Sequence, residues 1–86
     1  MNEEDLVVVP FNDFQEVTYI LALSRENAIS HAIDMKKQPQ WGYLDAEHPL
    51  PSITVKEARE LKLLLIDNGV KYYLSNHISP QLGYIL

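Results

Sequence analysis

No cysteine occurs anywhere in the 86 residues. In a chain this short, that absence is the tightest constraint on what can form. Disulfide staples, thiol catalysis and thiolate metal sites are excluded. A domain of this size buries only roughly 60–65% of the surface that its unfolded chain exposes. Stability therefore has to come from packing, from a partner or from self-association. The length also excludes a (β/α) barrel, a full dinucleotide-binding fold and a multidomain enzyme.

With 47% apolar and 22% charged residues, the composition is that of a folded chain. One domain is expected over 6–86, behind a flexible acidic segment at 1–5. The apolar runs Leu6–Phe11 and Leu63–Ile66 fall far short of the ~18–20 residues of a membrane span. The start Met1-Asn2-Glu3-Glu4-Asp5 is acidic where a secretory signal is basic, so a cytoplasmic location is the expectation.

The pattern along the chain predicts an α+β domain. Its sheet, mixed or antiparallel, has three to five short strands packed by two helices in the order ββαβαββ. Leu6–Val9 is β-branched and closed by Pro10, which reads as a short strand whose proline marks an edge or an end. Asn12-Asp13 is a turn signal. Residues 16–24 fit either a strand buried on both faces or a helix capped by Asp13. The clustering of Val17, Thr18, Tyr19 and Ile20 favours the strand.

Ser24 is placed to cap a helix whose stripe is Ala28, Ile29, Ala32 and Ile33, ended by Pro39. Residues 40–44 read as a short strand or extended loop, and 45–53 as an exposed proline-containing connection. Thr54 and Glu57 form a capping box for a helix expected to run to Asn68-Gly69. Strands follow at 70–74 and 82–86. Pro39-Gln40-Trp41-Gly42-Tyr43-Leu44 is echoed by Pro80-Gln81-Leu82-Gly83-Tyr84-Ile85, but the flanking helices do not align, which argues against a duplication.

Catalytic and metal chemistry find little support. His31, His48 and His77 lack any ligand spacing, even with Asp45 and Glu47 beside His48. No serine lies in a nucleophile elbow, and the three glycines stand too far apart for a phosphate loop. No catalytic, cofactor or metal residue is assigned and no cofactor is expected. A ligand-binding or enzymatic alternative requires a pocket between subunits where His31, His77, Glu57 or Asp67 converge.

Protein binding is the leading expectation. Trp41, Tyr43 and Leu44 with the acidic Asp45 and Glu47 form the candidate interface, although the core is the favoured place for Trp41. Strand edges at Leu6–Val9 or Leu82–Leu86 offer a second route, including a homodimer. The acidity is uneven. Residues 1–50 hold nine acidic and three basic residues, whereas 51–86 hold three and four. An acidic face suits the basic surface of a nucleic-acid-handling enzyme, as a regulator or inhibitor would require. The alternative is a nucleic-acid patch of Lys56, Arg59, Lys62 and Lys71. Interleaved Glu57 and Glu60 argue against it, whereas the overall charge of -5 does not, since 51–86 alone is slightly basic.

Overall fold

The computed structural model describes residues 3–67 and 70–73. The chain is a small α+β domain built on a mixed sheet with two helices. Strand β1 is Val7–Asp13, β2 Glu16–Ala22, β3 Ile53–Thr54, β4 Leu64–Asp67 and β5 Val70–Tyr73; α1 is Arg25–Lys36 and α2 Val55–Glu60. The sheet order is β3-β1-β2-β4-β5. Only the β2–β4 pair is parallel among these strands. Residues 3–5, at the expected frayed start, form a 3₁₀ turn near α2.

Successive strand residues feed two separate cores. On one face Val9, Phe11, Ile20, Ala22 and Ile66 meet Ala28, Ala32 and Met35 of α1. On the other, Val8, Leu21 and Leu65 meet Val55 and Ala58 of α2. Because neighbouring residues of a strand point to opposite faces, the helices cover opposite sides. The molecule has three layers, where a two-layer packing is the simplest reading of the sequence. Doubly covered strands carry apolar residues at nearly every position, which explains why the covered part of β2, Tyr19 to Ala22, is apolar throughout.

Four expectations are corrected. First, β1 does not stop at Pro10 and is not an edge. It continues to Asp13 between β3 and β2. Proline is tolerated because its nitrogen faces away from β2: the Pro10 carbonyl, on the same side, accepts from the Leu50 N–H at 2.9 Å.

Second, the hairpin turn is Phe14-Gln15, beyond Asn12-Asp13, with Asp13 paired to Glu16. Asp13 caps no helix; its carboxylate accepts from the Thr18 hydroxyl at 3.2 Å. Third, residues 39–41 form a 3₁₀ turn, so the strand between the helices is β3 and not 40–44.

Fourth, the second helix ends at Glu60, and Leu64–Asp67 is a strand. Lys62 adopts φ 56. The Leu63 N–H donates to Ala58 and the Lys62 N–H to Arg59, both at 3.1 Å. That is a Schellman stop with lysine where glycine is usual.

Both N-caps are present. The Ser24 hydroxyl accepts from the Asn27 N–H at 3.0 Å, and Thr54 and Glu57 satisfy each other's backbone. The predicted Asn68-Gly69 stop, the strand at 82–86 and the Pro80 echo lie outside the described residues.

Candidate functional site

The site is assembled at the end of the sheet where the β1–β2 hairpin turns. A two-residue hairpin loop needs a positive φ, which glycine or asparagine supplies most easily. Here Phe14 supplies it, at φ 59. The ring is carried off the end of the sheet and is 75% exposed.

The connection after α1 brings a second ring to the same place. Trp41 and Leu44 are buried and anchor residues 41–44. Leu44 bridges to Asp13, and the Asp45 N–H donates to the Asn12 carbonyl at 2.8 Å. Tyr43, between the two anchors, is left outside and is also 75% exposed. The two rings touch, with centroids 5.3 Å apart and planes tilted by 33°. Such a pair contributes about 0.5–1.5 kcal/mol beyond its buried area.

Acidic residues neighbour the two ring positions along the chain, although Glu47 shares a hollow with Lys36 and Lys37 at the end of α1. Asp13 and Glu16 sit on either side of the turn, and Asp45 and Glu47 follow Tyr43. Asp45 holds the His48 ring, Nδ1 to Oδ1 at 3.0 Å. This hydrogen bond, with the attraction of the charged ring, keeps the Asp45 carboxyl below the usual carboxylate range; Lys36 acts in the same direction. The same bond, with the attraction of the Asp45 and Glu47 charges, raises the His48 imidazole above its usual value. Beside the turn lies a hollow of about 440 Å³, lined in part by Asp13, Glu16, Thr18, Trp41 and Ile66.

The remaining sequence-based candidates are dispersed. Of the expected interface residues, Tyr43, Asp45 and Glu47 reach the surface, whereas Trp41 and Leu44 belong to the α1-side core. Lys56 and Lys62 are exposed and Arg59 half-buried around α2, where Glu4 and Glu60 share a hollow with Lys56 and Arg59. Lys71 lies on β5.

His31 stands on α1 and Glu57 on α2, across the sheet from each other, so one chain does not bring them together. Glu57 is engaged in its capping box, and Asp67 is buried at the end of β4. His77 lies outside the described residues. Among the described residues no group of three or more His, Asp or Glu could hold a metal ion, and no helix is long and apolar enough to cross a membrane.

Sequence reasoning missed Phe14, because an aromatic residue gives no turn signal. It also missed Arg25, which clamps the 45–53 connection. Its guanidinium donates to the carbonyls of Leu50 at 2.7 Å and Pro49 at 2.9 Å, and to the Ser52 hydroxyl at 2.8 Å. Nothing local to Arg25 marks a contact some 25 residues away. No protein-family model matches this chain, nor does any curated protein or solved structure.

Proposed function

We propose that the chain is a small non-enzymatic accessory protein that works by binding another protein through the Phe14–Tyr43 end of its sheet. One observation carries this reading: two aromatic rings in mutual contact, each three-quarters exposed, at a place where folding does not require them. Leaving a phenylalanine side chain in water forgoes about 1.5–3 kcal/mol of burial. Holding a non-glycine residue in the left-handed region costs a further ~1–2 kcal/mol. Glycine at 14 and a polar residue at 43 would satisfy the same backbone. Contact with a partner gives both rings a use, since exposed aromatics anchored on a rigid scaffold are typical interface centres.

The acidic residues around the rings support a finer reading, a regulator or inhibitor that engages the basic surface of a nucleic-acid-handling enzyme. The mixed charges around α2 favour this over direct nucleic-acid contact through Lys56, Arg59, Lys62 and Lys71.

The test is affinity capture from the native cell with the wild-type chain and Tyr43→Ser side by side, combined with sizing of each alone. A protein retained by the wild type and lost with Tyr43→Ser is the expected result. Equal retention by both, or no partner together with no self-association, would overturn the reading.

A further inference from the structure

We propose that the Phe14–Tyr43 surface takes an arginine-bearing segment of a basic protein, a proposal that rests on reading this end as a protein-binding surface. The rings and the charges ask for the same ligand. An aromatic face carries negative potential and attracts a cation lying over it, arginine more often than lysine. Its planar guanidinium can stack on a ring while its N–H groups reach a carboxylate, a combination the compact lysine ammonium does not offer.

Phe14 and Tyr43 supply the faces. Glu16, exposed and directly after the two-residue turn, supplies an acceptor, and Asp13 and Asp45 add negative potential on either side. No lysine or arginine precedes Arg25 in the sequence, and Arg25 is committed to Pro49, Leu50 and Ser52. Asp45 is already engaged by the His48 ring at 3.0 Å, which leaves Glu16 as the acceptor on which the proposal depends.

The experiment titrates the full chain, followed by backbone amide NMR at physiological salt. The probes are short peptides alternating glycine with arginine, with lysine, or with citrulline as the neutral isostere of arginine. The arginine peptide is expected to shift the amides of residues 13–17 and 43–45, to bind more tightly than the lysine peptide, and to lose its effect when arginine becomes citrulline. Tyr43→Ser should weaken it by roughly two- to fivefold, the range expected for an exposed cation–aromatic contact, and Glu16→Gln by up to about fivefold, the range of an exposed ion pair. Glu26→Gln, which removes the same charge from α1, should leave affinity nearly unchanged.

Equal weakening by Glu26→Gln and Glu16→Gln would show general attraction to an acidic chain and would overturn the proposal. So would unchanged affinity in Tyr43→Ser, or concentration-dependent shifts at 13–17 without peptide, which would make a second copy the occupant. If the captured cellular partner is lost with Tyr43→Ser while the arginine peptide does not bind, the choice of arginine fails and the binding surface stands. If that partner is retained, the surface itself is wrong.

Discussion

Two residues hold a backbone conformation that their side chains do not favour. Phe14 and Lys62 are the non-glycine residues with positive φ among those described, at 59° and 56°. They differ in what the strain accompanies. Lys62 ends α2 and its side chain is exposed, so nothing at that position needs a lysine. Lys62→Gly is expected to stabilise the fold by about 0.5–1 kcal/mol, the relief of left-handed strain less the added freedom of the unfolded chain; urea unfolding checks this. At Phe14 the same change removes the ring that touches Tyr43, so relief and loss are of similar size. Phe14→Gly should keep the fold and lose partner binding.

The exposed Asp45–His48 pair gives a pH-dependent contact. Since His48 is raised, its contribution is complete below the ordinary histidine value of 6.5 and is lost as pH rises through its folded value. Since Asp45 is lowered, its contribution is present above the ordinary value of 3.8 and is lost as pH falls through its folded value. The contact is therefore strongest between those two ordinary values. Asp45→Asn should bring the His48 titration down towards the ordinary histidine range, as read by NMR of its ring. An unmoved titration would remove the pair from the account.

At the scale of elements, what the sequence disclosed depended on whether the determinants were local. Ser24, Thr54 and Glu57 marked two helix starts because a cap is a contact across three residues. The β-branched and aromatic clustering of 17–20 marked β2 for a similar reason. Leu61, Leu64 and Leu65 misled because a short apolar run serves a buried strand as well as a helix face. The stop between them rests on lysine where glycine would have announced it. Pro10 misled because the β1–β2 register turns its nitrogen away from β2, towards the distant segment at 44–50.

Two of these elements have direct tests. Thr54→Ala removes the capping box of a helix only six residues long and should cost about 1 kcal/mol, measured by urea unfolding. Arg25→Met removes three hydrogen bonds to residues 49–52. It should speed amide exchange at Asp45 and Leu50 more than in β2. Uniform acceleration would mean the clamp serves the whole fold.

On the scale of the molecule, two helices on opposite faces divide a small chain into two thin cores, and each core has few large members. Trp41 lies 5% exposed against α1 and the sheet. Trp41→Ala should cost about 3–5 kcal/mol, comparable with the roughly 4–13 kcal/mol that holds a domain of this length together. Partial or complete loss of the folded amide spectrum is the expected result. The sequence offered Trp41 to core and interface alike, because burial depends on how α1 and the following turn close over the sheet. Once Trp41 and Leu44 are placed inside, Tyr43 is left outside, and the hairpin independently brings Phe14 to meet it.

That meeting point is the proposed contact with the partner. Hydrogen exchange of the full chain, free and in complex with the captured partner, locates the contact directly. New protection at Phe14, Gln15 and residues 43–45, with α2 unchanged, is the expected result. Protection concentrated instead on Lys56–Leu61, with the hairpin exchanging as in the free chain, would contradict it.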